Sequence, residues 1–425
     1  MLPRQLTKEI LAGFDSADLV FLLGTRQAGK TTLTHLVANE SAFSNDQIWY
    51  FDLEDKQYRT LFNTATISSL KQILPLEGID YKQRQLLIFD EIQLLDDPSN
   101  LLKLLHDHFP VLKIIATGSS SLQIKNKFSD SLAGRKRIYM VEPLNFDEFL
   151  LFKGEHRLRN LRKMFCEEGI AIETLTPLLA SGHDHFLALL EEYLIYGGYP
   201  EVVLIPNKQE KILKLDSIVN SYIKKDIREI ANIENLTAYN NLLKYLAINA
   251  GAQFNLSSAR ETIGISAATL SKYLKLLEET FIIAELPPFF TNRNKEISKS
   301  KKIYFKDTGI NNLFLQNFNS LDLRRDAGAL YETYVFNTLN WSKNITSSLY
   351  FYRTQSKSEI DFVLEKDASY HLIEVKSGKY TKIPRAMIEF EKKYSSQLTI
   401  VSKQVINQSV YFQKSEVEFL PGYLL

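Results

Sequence analysis

The chain has 425 residues, 45% hydrophobic and 24% charged, with a formal net charge of +1. That length suggests about two to four domains, and the near-neutral charge excludes a global field for nucleic acid, leaving only local patches. A lone cysteine, Cys166, excludes an internal disulfide; with no apolar signal core in the first ten residues and no apolar run near the ~18 residues of a membrane span, the expected setting is the reducing cytoplasm, with no membrane partner.

Residues 1–18 read as an amphipathic lead-in helix ending near Gly13. The apolar run Leu19 to Leu23 then predicts a strand, and Thr31 to Ala38 a helix. Between them, Gly24, Gly29, Lys30 and Thr31 fit G-x-x-x-x-G-K-[ST], the pattern of a phosphate-binding loop in its required strand-loop-helix context. Glycines let successive N–H groups turn inward, and the following helix adds the positive end of its dipole. Gly24, Thr25, Arg26, Gln27, Ala28, Gly29, Lys30, Thr31 and Thr32 are the expected ATP-binding residues. Lys30 would reach the β- and γ-phosphates, and the Thr31 hydroxyl would ligate Mg²⁺. The plain alternative is a βα turn without a ligand.

A second strand is expected at Gln47 to Leu53, and alternating strands and helical runs then predict a three-layer α/β domain with a parallel sheet. In Leu86 to Leu95 four apolar residues precede Asp90 and Glu91. A strand-tip Asp90 would reach the Mg²⁺ held by Thr31, and Glu91 would orient or deprotonate the attacking water. Val111 to Leu122 is another buried strand, ending in hydroxyl residues. Thr117 or Ser119 there would bond the γ-phosphate or the water, unless the stretch is a simple serine-rich turn. Arg135 and Arg137 precede one more strand; either would serve as an arginine finger in a homo-oligomer, and both equally suit a solvated loop.

GTRQAGKTTL, LLIFDEIQ, ATGSSS, LAGR and EPLNFDEF, in this order, resemble the AAA-type ATPases of bacteria and archaea that carry a long C-terminal region of largely unknown function. YLIYGGYPEVV, KKDI and KIYFKDTGI resemble stretches of that region. The resemblance implies ATP binding and Mg²⁺-dependent hydrolysis, and little about the cellular task.

Residues 150–235 have helical spacing interrupted at Gly182 and at Gly197 to Pro200, as expected of a lid; His183 and His185 read as loop residues, without the thiols or second pair of a metal site. From Ala238 three helical runs follow, with Ser257 and Ser266 as N-caps and Gly264 at the turn between the last two. FIIAELPPFF and KKIYFKD would be the strands of a wing. The loop between them places Arg293, Lys295, Lys299, Lys301 and Lys302 against Glu296, a patch able to neutralise DNA phosphates, or else a solvated loop on a protein-binding module.

In the last hundred residues, SEIDFVLE and YHLIEVKS alternate as strands. Asp361 lies in the first; Glu374 and Lys376, two apart, share a face of the second. Two carboxylates beside a lysine suit Mg²⁺ binding and water activation for phosphodiester cleavage, and Glu332 in the preceding helix is a possible third carboxylate. EIDF, E-x-K and flanking helices, the second at Ile383 to Tyr394, resemble the restriction-endonuclease-like core, which also serves as an inert scaffold.

The expected architecture is therefore an α/β chain: a P-loop, parallel-sheet AAA-type ATPase domain (1–150), a helical lid (151–235), a winged helix (236–320) and a small α/β restriction-endonuclease-like domain (321–425). Lys30 and Glu91 are the catalytic candidates for ATP, and Asp361, Glu374 and Lys376 for nucleic acid. Thr31, Asp90, Asp361 and Glu374 are the candidate Mg²⁺ ligands. DNA is the expected partner of the last two modules. A nucleotide-controlled binding or assembly switch without nuclease activity fits the same residues.

Overall fold

The structure is a computed structural model that describes residues 2–118, 132–223, 227, 233, 235–290, 299–354, 358–367, 369–378, 382–403, 410–412 and 415–425. The chain divides into two compact units. The first comprises residues 1–143 with 218–234 and 279–281, and the second the remainder.

In the first unit, helix α1 (Gln5–Ala12) stops at Gly13, whose N–H returns to Ile10 O at 3.1 Å. Strand β1 (Leu19–Gly24) leads into α2 (Lys30–Glu40), and β2 (Ile48–Asp52) is followed by α3 (Lys56–Asn63) and α4 (Ile67–Leu76). Then come β3 (Gln85–Asp90), α5 (Pro98–His108), β4 (Leu112–Gly118) and β5 (Lys136–Val141). The starts of α3 and α5 are set by Asp55 and Asp97, whose carboxylates accept from Gln57 N at 2.8 Å and Asn100 N at 3.1 Å.

These strands form one parallel sheet in the order β2-β3-β4-β1-β5. Successive strand residues point to opposite faces, so unbroken apolar runs can bury both. Phe21, Leu23, Phe51 and Phe89 pack on one face, against Leu70 and Leu101. Val20, Leu22, Leu86 and Ile88 pack on the other, against Leu33 and Val37 of α2. Sheet order matters for chemistry, because β4 lies between β1 and β3 and brings Thr117 between the phosphate-loop strand and the Asp90 strand.

The second unit begins with α6 (Phe146–Phe152), α7 (His156–Cys166), α8 (Ile172–Tyr196), α9 (Pro200–Leu204) and α10 (Lys208–Tyr222), which leaves the unit at Ile218. Gly182, expected to interrupt, lies within α8, and Pro177 lies in its first turns. A Cβ at Gly182 would stand 3.1 Å from Leu158 Cδ2, so this glycine fits close packing against α7. His183 and His185 are therefore helical, not loop, residues. His183 Nδ1 meets Tyr423 OH and His185 Nε2 meets Glu155 Oε1, each at 2.9 Å.

Next come α11 (Leu236–Ile248), α12 (Leu256–Ile263) and α13 (Ala267–Glu279), then the antiparallel strands β6 (Ile283–Leu286) and β7 (Lys302–Phe305). Gly264 ends α12 at φ 76°, a left-handed turn. Ser266 caps α13 by accepting from Thr269 N at 3.1 Å. Ser257, expected as the other cap, is inside α12; Asn255 caps it, accepting from Ser258 N at 3.0 Å. Asn255 has the extended backbone of a cap (φ −105°, ψ 108°), whereas Ser257 is already in the helix.

Beyond α14 (Thr308–Leu315) and α15 (Ala327–Ser342), strands β8 (Ser347–Arg353), β9 (Glu359–Lys366) and β10 (Ser369–Val375) precede α16 (Arg385–Glu391). Strands β11 (Ser396–Ser402), β12 (Val410–Phe412) and β13 (Ser415–Pro421) complete a mixed sheet ordered β12-β13-β11-β10-β9-β8. Tyr334, Val335 and Leu339 of α15 pack on one face of this sheet, with Phe362 and Ile373. Met387 and Phe390 of α16 pack on the other, with Ile360 and Leu372.

Candidate functional site

The phosphate loop is shaped by two glycines for two reasons. Gly29 has φ 93°, which admits the turn into α2. Gly24 is needed for space: a Cβ there would lie 2.0 Å from Val141 O on β5. No side chain caps α2, so its first N–H groups remain directed at the loop. Gln27, at φ 60°, adds a second left-handed residue to the curl.

Lys30 is buried, and its Nζ donates to Gly24 O at 3.1 Å and Thr25 O at 2.8 Å, so the ammonium sits inside the curl of the loop. Arg4 braces the loop from outside. Its Nη1 donates to Ala28 O at 3.0 Å and its Nη2 to Glu142 O at 2.9 Å. Thr32 is exposed on the first turn of α2. The Thr25 hydroxyl is buried without a hydrogen-bond partner, a polar group suited to an anionic ligand.

Asp90 gathers three hydroxyls. Thr31 Oγ1 donates to its Oδ2 at 2.8 Å, Tyr50 OH donates to the same oxygen, and Thr117 Oγ1 donates to Oδ1. Burial and the Asp90 carboxylate both push the Tyr50 phenol up, so it remains a protonated donor. Glu91 has φ 55°, and its N–H donates to Thr117 Oγ1 at 3.0 Å. Its carboxylate accepts from Gln93 Nε2 and lies 4.0 Å from Arg26 Nη1. Thus Thr117 joins Asp90 to Glu91, while Arg26 joins Glu91 to the phosphate loop.

Thr31, Asp90, Glu91 and Thr117 lie together, with Thr117 bonded to Asp90 and to Glu91 N. Ser119, the other expected strand-tip hydroxyl, lies outside the described residues. Tyr50, Arg4 and Gln93 were not anticipated; Tyr50 reads locally as an ordinary strand aromatic, and no spacing in the sequence links it to Asp90. Both candidate finger arginines are engaged within the chain. Arg135 forks onto Asp107 at 2.8 and 3.3 Å, and Arg137 Nε meets Asp18 at 2.7 Å.

In the second unit Asp361 accepts from Val375 N at 2.8 Å, and Lys376 Nζ donates to Glu374 Oε1 at 2.5 Å. Burial pushes the Asp361 carboxyl well above the usual range, reinforced by Glu332 and Glu374, with Lys302 opposing. Glu374 is pushed up by burial, with Lys376 opposing. Its Oε2 is buried without a hydrogen-bond partner. Glu332 is engaged by other donors: Lys302 Nζ lies 3.0 Å from its Oε1, and Tyr304 OH donates to the same oxygen at 2.6 Å. Among the described residues no group of three or more His, Cys, Asp or Glu is arranged to hold a metal ion.

The expected basic wing is only partly borne by described residues. Arg293, Lys295 and Glu296 lie outside them. Lys302 is corrected: it is 2% exposed and ion-paired, on a strand buried along its whole length. Lys301 is paired with Glu285, leaving Lys299 exposed. No helix among the described residues is long and apolar enough to cross a membrane.

Residues 16–150 match the family described as AAA domain, and 187–321 and 327–421 match two families each described as a domain of unknown function. An uncharacterized protein of Methanocaldococcus jannaschii is 28% identical over 348 residues, 81% of this chain and 71% of its own. One from Mycobacterium tuberculosis is 24% identical over 375 residues, 87% of this chain and 73% of its own. Among solved structures, the Walker-type ATPase of Pyrococcus abyssi matches 74% of this chain and 96% of its own, at 16% identity and a TM-score of 0.46. The ORC2 protein of Aeropyrum pernix, as ADPNP–ADP complexes, matches 66% and 84%, at 13% identity and a TM-score of 0.36.

Proposed function

We propose that residues 1–150 bind ATP with Mg²⁺ and hydrolyse it, and that nucleotide state controls what the C-terminal modules bind. The observation that carries this reading is the meeting of Thr31, Asp90, Thr117 and Glu91 at the ends of α2, β3 and β4. Lys30 neutralises charge on the β- and γ-phosphates, and the loop N–H groups with the α2 dipole orient them. Thr31 and Asp90 would hold Mg²⁺, which supplies charge neutralisation when bound. Glu91, held off the strand axis by its left-handed backbone and by Arg26 and Gln93, orients the attacking water and takes its proton.

Turnover of ATP by the full chain tests the reading, measured for the natural sequence and for Glu91→Gln. Turnover that is unchanged in Glu91→Gln would sink it. Residues 236–320, read as a winged helix, and 321–425, read as a restriction-endonuclease-like domain, would be the DNA-directed modules, and DNA that raises turnover with a steep salt dependence would support them.

A second reading has its own observation. Lys302 already neutralises Glu332 beside Asp361, which favours a nucleotide-controlled binding or assembly switch in which the C-terminal sheet is a scaffold, not a nuclease. Turnover indifferent to DNA but coupled to self-association would then be found, with Arg135 or Arg137 of one copy leaving its internal partner to serve another.

A further inference from the structure

Asp90 is held by both of its carboxylate oxygens. Thr117 Oγ1, on β4, donates to Oδ1, while Oδ2 accepts twice, from Thr31 Oγ1 on α2 at 2.8 Å and from Tyr50 OH on β2. Donors from α2, β2 and β4 thus converge on one side chain. Asp90 is 5% exposed, so water has little access to replace a donor that is lost. Tyr50 is itself placed from two sides. Its strand runs parallel to β3, with Tyr50 opposite Ile88 and Asp52 opposite Asp90. Its ring stacks on His35, the centroids 5.0 Å apart and the planes inclined by 22°. His35 follows Thr31 by one turn of α2, so the helix face that carries the Thr31 hydroxyl also carries the ring on which Tyr50 lies.

We propose that Tyr50, aimed by the His35 ring, is a positioning residue for the metal half of the nucleotide site: its hydroxyl fixes the Asp90 carboxylate so that the Thr31 hydroxyl keeps its proton on Oδ2 and its oxygen free for Mg²⁺. A hydroxyl that ligates a metal does so through its oxygen, and its proton then needs an acceptor. Asp90 Oδ2 is that acceptor. The terminal torsion of an aspartate is broad, so a carboxylate held at Oδ1 alone can swing its other oxygen away. Tyr50 supplies a hold on Oδ2 that does not depend on Thr31, and it comes from a different strand than Thr117. Groups placed behind metal ligands in this way orient them and set affinity without touching the ion. The stack on His35 ties the position of the phenol to α2, the helix that presents Thr31.

The inference rests on reading residues 1–150 as an Mg²⁺–ATP site, and one experiment separates the two. A fluorescent, non-hydrolysable ATP analogue is titrated into the full chain in EDTA and again in Mg²⁺. The quantity read is the factor by which Mg²⁺ tightens binding, compared between the natural sequence and two variants. Tyr50→Phe removes the hydroxyl and keeps the ring on His35; that factor should fall by about tenfold or more. His35→Ala keeps the hydroxyl and removes the stacked ring, so it should lower the same factor and guards against misfolding of the first variant. A loss of affinity equal in EDTA and in Mg²⁺ is the mark of a merely structural role and would overturn the proposal, as would a factor left whole in either variant. A natural chain that binds the analogue in neither condition would overturn the ATP reading and this inference together. A natural chain that gains from Mg²⁺ while Tyr50→Phe gains as much would overturn this inference alone.

Discussion

Thr31 donates a 2.8 Å hydrogen bond to Asp90, although 59 residues separate them. A helix N-terminus and a strand end are brought within one bond because β1 and β3 run parallel with β4 between them, so their C-terminal ends lie on the same edge of the sheet. Two residues proposed to share one metal ion thus touch directly.

Lys30 and Glu91 should separate binding from chemistry. Lys30→Ala removes a buried ammonium proposed to meet phosphate and is expected to weaken ATP affinity by about 10- to 100-fold, the worth of a charge-assisted hydrogen bond. Glu91→Gln should keep affinity while turnover falls by about 10²- to 10⁴-fold. Fluorescent-nucleotide titration and phosphate release, run on the same preparations, check both.

Thr117→Val deletes the hydroxyl that accepts from Glu91 N and donates to Asp90. The side chain keeps its volume but leaves both partners short of a bond, at a cost of about 1–3 kcal/mol. Turnover should fall by about tenfold or more with little change in KM. An equal loss in Thr117→Ser, which keeps the hydroxyl, would show that the methyl and not the bridge is responsible.

Gly24→Ala places a Cβ 2.0 Å from Val141 O, so β5 must move away from β1. Urea unfolding should show a loss of about 1–3 kcal/mol, the ordinary range for overpacking. Gly134→Ala is the contrast. It has φ 74° and no atom within 4 Å of its would-be Cβ, so strain alone is expected there.

Asp307 should make stability pH-dependent in an unusual direction. It accepts from Gly198 N at 2.8 Å and Ile310 N at 2.9 Å, yet burial pushes its carboxyl up to about 6. The folded state therefore binds its proton more tightly than the unfolded chain, whose carboxyl titrates near about 3.9. Its contribution is fully present below about pH 4 and is lost as pH rises to about 6, an effect of about 3 kcal/mol. Comparing denaturant midpoints of the natural chain and Asp307→Asn across this window isolates it. A stability difference that does not change between pH 4 and 7 would show that Asp307 does not titrate there.

The phosphate loop, the Asp90 strand and the helical runs were legible because their signals are local. Gly29 needs a left-handed backbone, Lys30 and Thr31 follow it at fixed spacing, and apolar runs of the right length mark buried strands. What local pattern misread were positions whose role is set by a neighbour. Gly182 reads as a breaker, yet it lies within a continuous helix where Leu158 packs close. Lys302 reads as part of a basic loop, yet it is an internal cation, because both faces of β7 are covered and Glu332 and Glu359 lie within reach of its ammonium.

By itself the sequence determined which residues present phosphate-binding and acidic chemistry, since that information sits within a few residues of chain. Only the tertiary structure decided which groups complete each site: Tyr50 and Thr117 on Asp90, Arg4 behind the loop, Lys302 among the C-terminal carboxylates. The reason is physical. A hydrogen bond or ion pair acts over a few ångströms of space, and sheet order, not sequence separation, sets which side chains come that close.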